Sequence, residues 1–435
     1  MAGEHRVVGL DIGTHYIKAS LLSTKDENTL FGAVAESSGV TRDGITDAKA
    51  VGESIKKAIR ILEDKASSDL SSVYINIPSE YCRLADSTGE SAIKNGSVDE
   101  SDIDRAIDMA QIIPLQPEEE IVDIIIPKYY IDDIPYRNPI GVKGSLLEIR
   151  AQVVIAGREY VESVYEACAY ARTRVIGTGL SSESAASLLL GRSDKENGVF
   201  LVDTGANSTR VVLYKGDRLS VPKIIPLGGR NITKDLSIVM GMSLLEAEEF
   251  KKSIGSGKLD RSDDRTALAV EVVKARVNEM ISLAKKEMDT YEGGEQVEKV
   301  VFYGGGLCGF DDIKNLSEIK AKKSTNFITS DIIKNNGILT VQASGIAYNV
   351  LNTIHYRKLL DNESAGDENQ LSRTSGEYLT DEEFFERHKH DFKKTSGYVK
   401  TREEEPPKVN EEFDHDEYEE EKVSIFNKIR NIFGR

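Results

Sequence analysis

The chain has 435 residues, 39% of them hydrophobic, and carries 73 Asp and Glu against 56 Lys and Arg, a formal charge of -17. That length holds two or three domains with real cores, and that charge excludes the basic footprint of a nucleic-acid binder. Three cysteines, Cys82, Cys168 and Cys308, lie far apart without a CxxC pair, which excludes a disulfide framework or a zinc motif and fits a reducing cytosol.

The start, MAGEHRVVGLDIG, lacks the basic and apolar regions of a signal peptide. A strand is expected over residues 6–10, then a tight turn at 11–14 and a second strand over 17–22. Val51, Ile55, Ala58, Ile59 and Leu62 recur at helical period and predict a helix over 48–62 with one buried face. A strand over 72–77 ends at Pro78. Residues 85–165 read as a compact α+β unit with a helix over 99–110 capped by Ser97, and strands over 120–130 and 146–156.

At Gly198 the opening pattern returns: strand 199–203, a turn of small residues, strand 209–214. Two strand–turn–strand hairpins, each with an Asp ending its first strand, indicate a duplicated fold with pseudo-symmetric halves. Helices are expected over 231–239, 244–253 and 267–291, then a strand over 299–303 running into Gly304, Gly305 and Gly306, and a last helix over 340–351.

Beyond residue 360 the periodicity is lost. Residues 361–421 hold 21 acidic and 8 basic side chains, the composition of a disordered linker. Residues 422–435 carry four basic side chains and no acid. On a helical wheel Val423, Ile425, Phe426, Ile429, Ile432 and Phe433 share one side, with Lys428 opposite and Arg430 on a flank. No apolar run reaches the roughly 20 residues that span a bilayer, so this amphipathic end is expected to bind an anionic lipid surface peripherally.

The paired hairpins carry the chemistry. After Asp11, Gly13 and Thr14 let backbone N–H groups approach a phosphate with little side chain in the way. The Asp would hold Mg²⁺ or its waters, since two anions repel. Asp203, Gly205, Ala206 and Asn207 offer the same arrangement in the second half, so two facing loops would clamp a polyphosphate. One such turn often does no more than close a hairpin; two at matching positions point to a site. Gly304–Gly306 after a strand would admit a base or ribose. There is neither a GxGxxG followed by an acidic ribose hook nor a GxxxxGK[ST], which excludes Rossmann and P-loop sites.

These elements, in this order, resemble the actin, sugar-kinase and DnaK-chaperone superfamily. Residues 9–18 are similar to its first phosphate loop, 202–212 to its second, and 301–312 to its adenosine motif. Within it the chain resembles the FtsA cell-division family over essentially its whole length. The likeness runs through GVTRDGITDAKA (39–50), PKYYIDDIPYRNPIGVKG (127–144) and the segment 226–255.

The resemblance implies an α/β, actin-like ATPase fold, two pseudo-symmetric halves around a nucleotide cleft. It places the first half of domain 1 at 1–84, an FtsA-type inserted α+β subdomain at 85–165, and a return to domain 1 at 166–198. Domain 2 follows at 199–360, with its outer subdomain at about 233–294, then the disordered acidic linker at 361–421 and the membrane-targeting helix at 422–435. ATP and Mg²⁺ are the implied cofactors, with Lys18, Gly228, Gly229, Glu248 and Lys251 added to the site. Glu183 falls where the chaperones carry an acid near the attacking water.

GLSSESAASLLL (179–190) and QASGIAYN (342–349) look like the paired small-residue helices that allow close crossing. Arg276 and Glu279 match positions where FtsA proteins meet the FtsZ C-terminal tail. The implied partners are therefore FtsZ, further copies of the chain, other divisome proteins and anionic lipid at the cytoplasmic face of the septal membrane. One departure stands out. The second loop reads DTGANST rather than DxGGGT, and Arg210 stands where an acid is common, so at most slow ATPase activity is expected. The alternatives are another actin-fold scaffold resembling PilM, whose pattern needs no amphipathic end, and an ATP-dependent phosphotransferase.

Overall fold

Strand Arg6–Ile12 runs antiparallel to Tyr16–Ser23 in a register that sets Asp11 opposite Lys18. The computed structural model describes residues 6–23, 29–257, 263–310, 312–316, 324–328 and 338–352. In it this hairpin lies inside a five-stranded sheet ordered Arg174–Leu180, Ser72–Ile77, Arg6–Ile12, Tyr16–Ser23, Thr29–Glu36. The first three strands are parallel.

The second half repeats the design. Val199–Thr204 is antiparallel to Thr209–Lys215 and parallel to Lys299–Tyr303, which is parallel in turn to Ser324–Phe327. Here the register sets Asp203 opposite Arg210. The duplication expected from the two hairpins therefore extends to strand order, direction and the residue facing each aspartate.

The helix expected over 48–62 forms as Ala48–Ala66, capped by Asp47, and the five residues of its apolar face are its buried aliphatic residues. Helix Arg158–Tyr170, which straddles the expected boundary at 165, packs on it. A Cβ on Gly52 would lie 2.7 Å from the Ala167 carbonyl oxygen, so only glycine permits that approach.

Between the strands of the first half stands a second sheet of Ile134–Tyr136, Tyr129–Ile131, Leu146–Gly157 and Cys82–Ala92, with Glu119–Ile125 also paired to Leu146–Gly157. The single strand expected over 120–130 is two. Pro127 falls between them and has no N–H to donate to a ladder. Helix Glu100–Ala110 covers this sheet, and Ile103, Ala106 and Ile107 pack with Leu147 and Ile149 in its core. Asp99, not the expected Ser97, caps that helix; it accepts from the Asp102 N–H while Asp102 returns the bond to the Asp99 N–H, each at 3.0 Å. Strand Cys82–Ala92 escapes the sequence reading because its residues are mostly polar and only Gly89 and Ser91 are buried.

Helices Ser181–Leu189 and Val341–Asn352 cross at the centre of the molecule. A Cβ on Gly345 would stand 1.9 Å from the Ser184 carbonyl oxygen, and one on Gly9 2.0 Å from that of Ala343. The close crossing expected of these small-residue segments is present. Asn76 joins both helices to the first sheet, donating to the Gln342 carbonyl at 2.7 Å and accepting from the Ser184 hydroxyl at 2.6 Å. Among the described residues no helix is long and apolar enough to cross a membrane. The segments 361–421 and 422–435 lie outside the described residues.

Candidate functional site

A cavity of about 510 Å³ opens between the two halves. Its size falls within the range of about 300–1,000 Å³ typical of small-molecule sites. The two hairpin turns face it and close alike: the Gly13 N–H donates to the Tyr16 carbonyl at 3.1 Å, and the Gly205 N–H to that of Ser208 at 2.9 Å. Of the residues expected in the site, Asp11, Gly13, Thr14, Lys18, Asp203, Gly205, Ala206, Asn207, Gly229, Glu248, Lys251, Gly304, Gly305 and Gly306 line this cavity.

The second turn accommodates Ala206 and Asn207 without left-handed backbone. Neither residue has a positive φ, so the turn makes no conformational demand for glycine.

Three loops of the second half lock together around this turn. The Gly229 N–H donates to the Gly205 carbonyl at 3.0 Å, the Arg230 N–H to that of Ala206 at 2.8 Å, and the Gly306 N–H to that of Thr204 at 2.7 Å. The Thr204 hydroxyl accepts from the Leu307 N–H at 3.1 Å and donates to the Tyr303 carbonyl at 3.0 Å. Gly304 turns with φ +91°, and a Cβ on Gly306 would lie 2.5 Å from the Gly205 carbonyl oxygen. Gly228 lies behind the lining, where a Cβ would lie 2.5 Å from the Ala206 carbonyl oxygen. The glycines thus hold the loops against each other as well as facing the cavity.

Each aspartate is met by a cation from the partner strand of its own hairpin. Lys18 Nζ lies 2.5 Å from Asp11 Oδ2, and Arg210 Nη1 3.0 Å from Asp203 Oδ2. Asp203 Oδ2 also accepts from Gln342 Nε2 at 2.9 Å. Arg210 reaches across to Glu80 of the first half through Nε, 2.6 Å from Oε2, and through Nη2 to Oε1. Burial pushes the Asp203 carboxyl above the ordinary carboxylate range, with Arg210 and Lys18 opposing the rise.

The expected magnesium ion does not fit this donor set. Both carboxylates offered as its ligands are ion-paired within their own hairpins. The lining fits a polyanion better. Besides Lys18 and Arg210 it presents Arg42, Arg230, Lys251 and Lys252, and the helix Gly229–Met240 begins there with its positive dipole end, its first N–H groups being bonded to the carbonyls of Gly205, Ala206 and Gly228.

Glu248 and Lys251 form more than a surface ion pair. Lys251 Nζ lies 2.7 Å from Glu248 Oε2, 2.9 Å from Thr233 Oγ1 and 3.1 Å from the Gly229 carbonyl oxygen. Burial would raise the Glu248 carboxyl, but hydrogen bonds from Lys251 and Thr233 outweigh it and hold it low. Burial lowers Lys251. His15 stands below its ordinary range because of burial and the facing Arg230, Lys251 and Lys252, against which Glu248 acts alone.

Two expected residues stand elsewhere. Glu183 is absent from the lining: it accepts from Lys195 at 3.3 Å and from Ser187 at 3.0 Å on Oε1. It stands on the first turn of its helix with its carboxylate paired to Lys195, whereas the resemblance puts it near an attacking water. Arg276, expected at a contact with the FtsZ tail, is buried, with bonds of 2.6 and 3.0 Å to Asp235 and a further bond to Glu279. It ties helix Asp264–Asp289 to Gly229–Met240, and its charge is already engaged. Glu80, His15, Arg230, Lys252 and Gln342 line the cavity although no phosphate-loop motif singled them out; Gln342 opens the small-residue helix motif, and Arg210 was visible only as a departure from the loop pattern. The membrane residues Val423, Ile425, Phe426, Lys428, Ile429, Arg430, Ile432 and Phe433 lie outside the described residues.

Comparison with known proteins follows the same division of the chain. Residues 79–155 match the SHS2 domain inserted in FtsA, and residues 200–324 match the cell division protein FtsA family. The cell division protein FtsA of Neisseria meningitidis serogroup B is 28% identical over 303 residues, 64% of this chain and 72% of its own length. That of Bacillus subtilis is 27% identical over 304 residues, covering 65% and 69%. That of Escherichia coli K12 is 25% identical over 307 residues, covering 65% and 72%. Among solved structures, the PilM–PilN type IV pilus biogenesis complex aligns with a TM-score of 0.54 at 16% identity, covering 78% of this chain and 97% of the other.

Proposed function

The chain belongs to the FtsA family of cell-division proteins, with an actin-like fold, and from that premise we propose that it is an adaptor that binds ATP in the cleft, polymerises, and tethers FtsZ to the membrane. The observation that carries the nucleotide part is the pairing of the two hairpins. Each presents an aspartate with a cation seven residues on, and each turn closes through the same glycine N–H bond onto one cavity.

ATP between the halves acts as cement, stabilising the closed, assembly-competent state by mass action. Turnover is slow or absent, which the position of Glu183 outside the lining supports. The FtsZ tail docks on the outer subdomain at about 233–294, and the amphipathic end at 422–435 holds the assembly on anionic lipid. Weak single anchors suit a polymer, since many in a row bind with high avidity.

The test is co-sedimentation of the purified protein with liposomes, with and without ATP and FtsZ, followed by electron microscopy of the pellets. FtsZ is expected in the pellet only when this protein is present, and filaments when ATP is added. FtsZ that stays in the supernatant in every condition overturns the adaptor reading.

A further inference from the structure

We propose that this cleft binds its nucleotide without a divalent cation, because the guanidinium of Arg210 stands as a fixed cation against Asp203 in place of the metal. The inference rests on the nucleotide reading of the same site. An acidic side chain at position 210, as the loop pattern would have it, leaves Asp203 beside a second carboxylate with Lys18, already paired to Asp11, as the remaining cation, an arrangement that favours a bound cation. Arginine there changes the formal charge by two, the same amount that a divalent ion supplies.

The geometry leaves Asp203 little room to bind anything else. Its Oδ2 accepts from Arg210 Nη1 at 3.0 Å and from Gln342 Nε2 at 2.9 Å. Its Oδ1 faces the backbone, where a Cβ on Gly304 would lie 2.7 Å away. Arg210 is held in turn by the two bonds to Glu80, which orient a planar fork as a lysine could not. Asp11 is likewise matched by Lys18. A metal would compete with these cations for the same carboxylates, whereas guanidinium and ammonium groups can bind phosphate oxygens directly.

The experiment measures ATP binding to the full-length protein by calorimetry, once in excess EDTA and once in millimolar MgCl₂. Affinities within threefold of each other are expected. Binding that is tenfold or more tighter with magnesium overturns the inference and leaves the nucleotide reading standing; no binding in either buffer removes both. A second arm uses Arg210→Ala and Arg210→Asp, checked for folding by circular dichroism. Either folded variant is expected to gain a magnesium requirement of at least tenfold. Variants as indifferent to magnesium as the parent would show that Arg210 is not the cation in question. Should neither fold, the parent comparison still decides.

Discussion

Arg210 and Glu80, 130 residues apart, join the two halves of the molecule through a two-point ion pair at the wall of the cleft. Their side chains are only 19% and 18% exposed, so water screens the pair weakly. The same guanidinium also holds Asp203, which makes one side chain both the neutraliser of the second hairpin and a clasp between halves.

Glu80→Ala should remove the clasp while leaving Arg210 its bond to Asp203. Losing a charge-assisted pair of this kind costs about 1.5–3 kcal/mol, with the lower end apt for a group that keeps some contact with water. A fall in the midpoint of urea unfolding, with no change in slope, is the expected signature. An unchanged midpoint would mean that the halves do not depend on this pair.

Gly345→Val should be among the most damaging single changes outside the site. The new side chain begins 1.9 Å from the Ser184 carbonyl oxygen, and both helices would have to move apart. Overpacking of a core costs about 1–3 kcal/mol or more. Thermal denaturation should show a loss of several degrees, and a variant as stable as the parent would contradict the close crossing.

His15 should titrate below the ordinary histidine range in the nucleotide-free protein. Burial comes first among the causes, then Arg230, Lys251 and Lys252, with Glu248 opposing. The folded closed state therefore prefers neutral His15, and its contribution is present above the unfolded pKa of about 6.5. It is lost as pH falls through the lowered folded value, because the unfolded chain takes up the proton first. Phosphate groups entering the cleft should raise the value again. NMR titration of the imidazole with and without ATP checks both statements, and a ring that titrates normally in the free protein refutes the first.

Arg276→Glu should unfold or loosen the outer subdomain rather than act on a partner alone. Arg276 lies between Asp235 and Glu279, with its side chain 9% exposed, and the substitution would set three carboxylates together. Removing one partner of a buried pair costs about 3–5 kcal/mol. Leu245, which is 75% exposed on the neighbouring helix, is the cleaner probe of a docking surface there. Leu245→Glu should leave the unfolding midpoint within error and weaken an FtsZ-tail peptide severalfold in a fluorescence titration.

Changing Phe426 and Phe433 together to Glu should abolish liposome pelleting and leave ATP binding intact. Full burial of such side chains is worth about 1.5–3 kcal/mol each, and reversing the apolar stripe removes it. Pelleting that persists would place any membrane contact elsewhere in the chain.

The halves were legible because their signal is local. A strand, a small turn and a second strand recur within a few residues of each other, and alternation and helical period report which faces are buried. That is why the apolar residues of helix Ala48–Ala66 and the turns after Asp11 and Asp203 could be read before any contact was known. Strand Cys82–Ala92 could not, since a mostly polar strand whose buried residues are Gly89 and Ser91 carries no apolar alternation. The cap at Asp99 was lost to Ser97 for a related reason: both are good capping residues, and only the reciprocal bond with Asp102 chooses between them.

By itself, then, the sequence determined the duplicated hairpins, the glycine loops, the small-residue helices and the acidic and amphipathic end, all properties of neighbouring residues. Tertiary structure alone decided which charges meet. Glu183 turns to Lys195, Arg276 to Asp235 and Arg210 to Glu80, pairs separated by 12, 41 and 130 residues. A carboxylate's role follows from the cation beside it, because neutralising a buried charge outweighs any preference of the chain around it. No spacing in the sequence records a partner brought there by the fold.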